Sequence, residues 1–238
     1  MERDYIIAGL RVRMDTFGRT EVQAAPYQTE TSGTPDIVIK SYARDLSEFQ
    51  PHLTLDDSEY ISTGRSFYNQ LLQFNGLLLH ASAVVKDGYA YLFSAPSGTG
   101  KSTHTTLWRK TFGYDDVLML NDDKPALRLE NGRWYAYGTP WSGKTDQNLN
   151  LRAPLGGICL LNRGDNNTIE PYGGVTAVYE LLQQTVRPNL TEVRGQLLEL
   201  LDSLMTTVPV WRLYCTPTEE AAILSHKAMA DEAKRRFG

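Results

Sequence analysis

Cysteine is scarce in the chain: only Cys159 and Cys215 occur, both within apolar runs. A disulfide framework is excluded, and both read as buried free thiols in a reducing cytoplasm. Long hydrophobic runs are missing too, so no membrane span is expected. The charged start Met1-Glu2-Arg3-Asp4 is followed by no long apolar segment, and no signal peptide is expected. Basic charge is not in excess. The formal net charge is −4, which argues against a general nucleic-acid binder. Neither an internal repeat nor a low-complexity tract is apparent. What is present is 238 residues, 41% of them hydrophobic, enough to pack one large domain or a domain with a small lobe.

The most informative stretch is Ala95 to Thr103, Ala-Pro-Ser-Gly-Thr-Gly-Lys-Ser-Thr. An apolar run, Tyr89 to Phe93, precedes it and reads as a buried strand; Thr105 to Lys110 behind it opens a helix. Strand, glycine loop and helix form the context of a phosphate-binding loop. Its glycines turn consecutive N–H groups toward an anion, and the helix start adds its positive dipole end. Ser97, Gly98, Thr99, Gly100, Lys101, Ser102 and Thr103 are the candidate nucleotide-binding residues. Lys101 reaches the outer phosphates and the Ser102 hydroxyl holds magnesium. Ala95 replaces the pattern's first glycine, which requires φ below zero there.

Along the chain, Tyr5 to Val12 and Ile37 to Tyr42 read as strands, Thr16 to Asp36 as loops, and Glu48 to Ser62 as polar without a clear period. Asp56-Asp57 reads as a solvated turn or a metal site. Residues 1–62 are thus expected to form a small β-rich lobe and 63–238 the core. Ser66 to Phe74 has helical spacing, ended by Gly76. The run Leu77 to Val85, Lys86-Asp87-Gly88 and Tyr89 to Phe93 read as a hairpin feeding the loop. His80 lies in its first strand and reads, on that line alone, as a satisfied core histidine or as a site residue.

Asp116 to Leu120 reads as a strand ending in Asn121-Asp122-Asp123-Lys124-Pro125. Adjacent carboxylates at a strand's C-terminal end suit a cation or a proton, and open α/β sheets place ligands there. A second hairpin turns at Asn131-Gly132 and leads into Gly138 to Thr145. There Ser142 and Lys144 are candidates for contact with the substrate, an ordinary loop being the alternative. Arg152, before the strand Leu155 to Leu161, is a candidate phosphoryl clamp or a surface residue. Val175 to Val186 reads as a helix with Pro188 beyond its end. A leucine-rich helix over 197–204, a strand Val208 to Tyr214 and a terminal helix opened by Thr218-Glu219-Glu220 complete the chain.

Three stretches in order, Leu79-His80-Ala81-Ser82-Ala83-Val84, Pro96 to Thr103 and Leu120-Asn121-Asp122-Asp123, resemble the kinase domain of HPr kinase/phosphorylase. More distantly they resemble ATP-dependent phosphoenolpyruvate carboxykinase. The resemblance covers residues 75 to about 165 and omits residues 1–60. It implies an α/β fold, a phosphoenolpyruvate carboxykinase-like P-loop core with a mixed sheet and flanking helices. It also implies a cytoplasmic kinase using ATP and Mg²⁺ and a homo-oligomeric habit. Asp122 is then the general base, with Lys101, His80 and Arg152 as the other catalytic candidates; Ser102 and Asp123 hold the metal. The family's usual glycine-rich signature after the core and its regulatory N-terminal domain are not found, which leaves the acceptor as a protein, peptide or small molecule. Two other readings stay open: a nucleotide-dependent binding module without transfer, and a carboxykinase-type reaction using Arg65, Lys144 and Arg152.

Overall fold

The computed structural model describes residues 2–31, 33–186 and 191–237, the side chains of 191–193 excepted. Pro188 lies outside the described residues. At the N-terminus the expected single strand over 5–12 is instead a hairpin. Strands β1 (Arg3–Ile7) and β2 (Leu10–Met14) pair antiparallel. They turn at Ala8 and Gly9, with φ of 52° and 75°. Ala8 hides this turn from the sequence, since an apolar residue is unusual in the left-handed region. Strand β3 (Ile37–Ile39) adds parallel to β2. Helix α1 (Gly18–Ala24) occupies part of the expected loop, and helix α2 (Ala43–Phe49) follows β3.

Helix α3 (Leu55–Leu71) runs straight through residue 62. Thr54 caps it, its hydroxyl oxygen 3.0 Å from the Asp57 amide. The buried face of its first half carries Ser58, Glu59, Ser62, Thr63 and Gly64, so no apolar stripe marked a helix there. The lobe is therefore helical as well as β. Its Tyr5, Ile7, Val12 and Ile37 share one cluster with Phe67 and Leu71 of α3 and with Tyr137 and Trp141 further along the chain.

The larger sheet is mixed. Its path runs β4 (Gly76–Leu78), β8 (Ala126–Glu130), β9 (Arg133–Tyr137), β10 (Arg152–Arg163), β6 (Tyr89–Ser94), β5 (Ala81–Lys86), β7 (Leu118–Asn121). Strand β12 (Val210–Cys215) pairs parallel with the second half of β10, and β11 (Thr168–Pro171) pairs antiparallel with β12. The expected hairpins form at Asp87-Gly88 and Asn131-Gly132, with both residues of each pair at positive φ. The apolar run 77–85 is not one strand. It breaks after Leu78, β4 joining β8 and β5 joining β6 and β7. Asn75, at φ 53°, makes the left-handed turn expected of Gly76, which starts β4 instead.

Both faces of the central strands are covered, as their near-continuous apolar runs require. Tyr91, Phe93 and Val84 pack under Trp108 of helix α4 (Lys101–Phe112) and Met229 of helix α7 (Glu219–Phe237). Ala83, Leu92 and Ile158 face Leu181 of helix α5 (Gly174–Gln183) and Leu197, Leu201 and Leu204 of helix α6 (Thr191–Thr207). Among the described residues no helix is long and apolar enough to cross a membrane.

Candidate functional site

Strand direction brings the site together. Strand β5 is antiparallel to both β6 and β7, so β6 and β7 end at the same sheet edge at which β5 begins. Ser94 at the end of β6 pairs with Ala81, and Asn121 at the end of β7 pairs with Ala83. The glycine loop after β6, the acids after β7 and His80 before β5 therefore converge. His80 is not inside a strand, as its apolar surroundings suggested, but at the break between β4 and β5. Ligand sites of open α/β sheets lie at such strand ends.

The loop leads directly into α4, with Gly98 at φ 78° and Gly100 at φ 124°. Ala95 has no positive φ, so the missing glycine costs no strain. Lys101 is buried, 7% exposed, and its Nζ donates to the Ala95 carbonyl at 2.9 Å. Burial pushes its ammonium below the ordinary value, while Asp123 and Asp122 act in the opposite direction. Arg163, at the end of β10, donates to the Gly98 carbonyl at 2.6 Å. Nothing in its own neighbourhood singled Arg163 out, but its place at the end of an expected strand was a usable signal.

Asp122 is buried and held by two hydroxyls. Ser82 donates to Oδ1 at 2.5 Å and Thr145 donates to Oδ2 at 2.8 Å. Ser82 is also 2.8 Å from Thr105 of α4, which ties the acid to the helix that carries Lys101. Asp123 accepts from His80 Nε2 at 3.0 Å and pairs with Lys124. Burial works against its charge, but the His80 hydrogen bond and Lys124 outweigh it and hold the carboxyl at about 2. His80 Nδ1 meets Gln184 Oε1 at 3.0 Å. Asn121, fully buried, shapes the turn: its Oδ1 accepts from the amides of Asp123 and Lys124, at 2.9 and 2.7 Å.

The second lysine-bearing stretch divides. Lys144 and Thr145 line the cleft. Gly143, at φ 70°, lies so close to Asp123 that an added Cβ would stand 2.7 Å from the Asp123 Cβ. Ser142, expected to touch substrate, is instead fully buried, bonded to Gln23 at 3.1 Å and Asn148 at 2.9 Å. Arg152 is a second correction. It starts β10 opposite Tyr137, pairs with Glu130 at 2.9 Å, and is absent from the cleft wall. A charged residue before a strand carries no sign of which edge it serves. The roles of Ser82, Thr145 and Gly143 had no signal of their own, because each acts through a partner distant in sequence.

The cleft enclosed by these groups has a volume of about 700 Å³. Its walls carry Ser97, Gly98 and Gly100 to Thr103, with His80, Asp122, Asp123 and Lys144 opposite, and Arg19 and Tyr60 from the N-terminal part. The backbone of Gly143 donates to the Tyr60 hydroxyl at 2.8 Å. Ser102, Asp122 and Asp123 are all oxygen donors, and Asp123 is firmly ionised, which suits a hard divalent cation. Among the described residues no group of three or more His, Cys, Asp and Glu is placed to hold a metal. Ser102 and Asp123 would supply two oxygen ligands to an ion of the magnesium type, which would take the rest of its shell from outside the chain.

A family description, SynChlorMet cassette protein ScmC, matches residues 58–219. The match starts within α3, ends at the first turn of α7 and leaves out the β1–β3 sheet. No curated protein matches. A solved structure, the Hpr(Ser) kinase/phosphatase from Coxiella burnetii, is similar at 12% identity and a TM-score of 0.40, covering 68% of this chain and 99% of its own.

Proposed function

We propose, from the premise that the chain belongs to the family of SynChlorMet cassette protein ScmC, that it transfers the γ-phosphoryl group of ATP to an acceptor hydroxyl. The observation that carries this reading is a buried carboxylate and a buried P-loop lysine on one cleft. Asp122 and Lys101 both line it; Asp122 is fixed by hydrogen bonds from Ser82 and Thr145, and Lys101 by the one it donates to the Ala95 carbonyl.

Phosphoryl transfer asks mostly for positioning and charge neutralisation. The loop N–H groups and the α4 start receive the phosphates, and Lys101 neutralises the outer ones. Beyond the loop, a second hollow of about 420 Å³ is lined by Leu107, Leu161, Cys215 and Pro217, with Arg163 and Thr216 at its edge. Its apolar walls suit the nucleoside. Asp122 faces the acceptor: the hydroxyl oxygen attacks the γ-phosphorus, its proton passes to Asp122, and the bond to the β-phosphate oxygen breaks to release ADP. Ser82 and Thr145 keep the carboxylate oriented for that proton. Ser102 and Asp123 would hold Mg²⁺, which when bound supplies charge stabilisation between the outer phosphates. His80 and Lys124 flank Asp123 and fix its orientation.

A carboxykinase-type reaction is less well served. Of its three basic candidates only Lys144 lines this cleft; Arg65 lines a neighbouring pocket and Arg152 neither. Incubation with γ-labelled ATP and candidate hydroxyl acceptors tests the kinase reading. Label is expected on an acceptor with wild type. Asp122→Asn is expected to bind ATP yet lose about 10²–10⁴ in transfer rate, the usual worth of a general base. Undiminished transfer by that variant excludes the role given to Asp122, and label that stays on nucleotide throughout favours a binding module.

A further inference from the structure

A second pocket opens beside the cleft. It measures about 340 Å³ and is walled by Tyr60, Ile61, Gly64, Arg65, Tyr68 and Trp141, with Lys124 and Thr185 among its other lining residues. Tyr60, Ile61 and Lys124 also line the cleft, so the two spaces share a wall. The floor is rigid. Trp141 stacks on Phe67 with centroids 5.0 Å apart and donates through Nε1 to Thr63 at 3.2 Å. Gly64 is needed there, since a Cβ would come within 2.9 Å of the Trp141 ring. The size lies near the lower end of the roughly 300–1,000 Å³ of ligand pockets, suited to one large side chain.

We infer that this pocket selects the acceptor: it takes a large apolar or aromatic side chain from a peptide segment whose hydroxyl, one or two residues away, is phosphorylated at Asp122. The inference rests on the kinase reading above. Lys124 is two residues beyond Asp122, a chain distance of roughly 7 Å at most, which is also the reach of two residues in an extended peptide. The Lys124 wall of the pocket and Asp122 are thus within the span of neighbouring residues of one extended segment.

Charge and hydrogen bonding add to the match. Arg65 is exposed at the pocket and forms no ion pair with any described residue. Lys124 is taken up by Asp123, so Arg65 is the cation left to a ligand, and the segment that fits also carries a carboxylate. Tyr60, at the junction, accepts from Gly143, and burial pushes its phenol up to about 12, so it retains its proton as a donor. Thr185, more than nine-tenths buried in the pocket wall, has a hydroxyl with no hydrogen-bond partner.

The test is a library of short synthetic peptides with one central serine, in which the neighbouring positions vary among Phe, Leu, Ala, Asp and Lys. Phosphorylation is read by mass with wild type, Arg65→Glu and Ile61→Ser, and affinity for a fluorescent ATP analogue shows that each variant is folded. The expected result is preference for Phe or Leu within two residues of the serine together with Asp. Arg65→Glu is expected to raise KM about tenfold for the Asp-containing peptides and to spare those with Lys. Ile61→Ser is expected to reduce the Phe and Leu preference, with kcat nearly unchanged in both variants. Phosphorylation indifferent to the neighbours, or confined to small-molecule hydroxyl compounds offered in parallel, overturns this inference and leaves the kinase reading standing. ATP bound with no acceptor labelled in either set overturns both.

Discussion

Two glycine–lysine turns line the cleft, Gly98 to Lys101 and Gly143 to Thr145, and their surroundings differ. Both use glycine at positive φ. At Gly98 and Gly100 an added Cβ would meet nothing within 4 Å, whereas at Gly143 it would stand 2.7 Å from Asp123. The first turn is followed by the twelve-residue helix α4, which directs its dipole at the loop. The second is a three-residue 3₁₀ turn held by Tyr60 and bonded through Thr145 to Asp122. At the first turn the glycines leave open space beside the backbone; at the second the glycine is packed against the protein's own Asp123.

The largest effect that separates the two belongs to Gly100→Val. At φ 124° a β-branched side chain is strained whatever the space. Strain of about 1–3 kcal/mol corresponds to roughly 5–150-fold in affinity. Titration with a fluorescent ATP analogue is expected to show that loss or more. Gly143→Ala is the counterpart. Its Cβ displaces Asp123, so the expectation is transfer slowed about tenfold with nucleotide affinity within about twofold, since the loop from Gly98 to Lys101 is untouched. Equal losses of nucleotide affinity in both variants would break the distinction between a ligand loop and a turn that braces Asp123.

Thr145→Val sharpens the same contrast. It removes one of the two hydroxyls on Asp122 and leaves Ser82 in place. A hydrogen bond to a charged group is worth about 1.5–3 kcal/mol, and the loosened carboxylate is expected to lower kcat by roughly ten- to a hundredfold at most, with the acceptor KM little changed. A fall in nucleotide affinity instead would assign Thr145 to the phosphates.

The contrast also explains what was legible. The first turn could be read from sequence because its partners are local: the apolar strand before it, the helix after it, the glycines between. The pairing of β5, β6 and β7 could be read in part from Asp87-Gly88 and from the apolar strand before Asp122, which brought the acids to the loop. The brace could not, because Thr145 and Gly143 have meaning only through Asp122 and Asp123, some twenty residues away along the chain. Arg152 and Arg163 are alike as isolated residues at opposite ends of β10; only strand direction tells which end meets the loop. Helix α3 escaped notice for a different reason. Over Ser58 to Gly64 its inner face is mostly polar, with Tyr60 its one buried aromatic, so hydrophobic periodicity had little to detect.

The smallest effect concerns stability, and it sets the α3 side against the α4 side with opposite signs. Glu59 of α3 is fully buried, with Thr20 and the Phe17 backbone as its nearest polar neighbours and no hydrogen bond of good geometry to its carboxyl oxygens. Burial pushes its carboxyl up to about 7 from an ordinary 4.5. The folded state therefore holds a proton that the unfolded chain releases first, and stability present below about pH 4.5 is lost as pH rises through 7. His104 of α4 is buried against Phe93 and bonded to Ser225 at 2.9 Å, and burial lowers it from 6.5 to about 4. Its folded state excludes a proton that the unfolded chain accepts, so stability full above pH 6.5 is lost as pH falls toward 4. Shifts of this size are worth on the order of 3 kcal/mol each over the full window. Urea unfolding is expected to give Glu59→Gln a higher midpoint than wild type at pH 8 and little gain at pH 5. His104→Gln is expected to lose its disadvantage relative to wild type as pH falls from 7 to 5. A Glu59→Gln gain that is the same at both pH values would mean that the carboxyl is ionised in the fold, and the polar inner face of α3 would then be hydrated rather than dry.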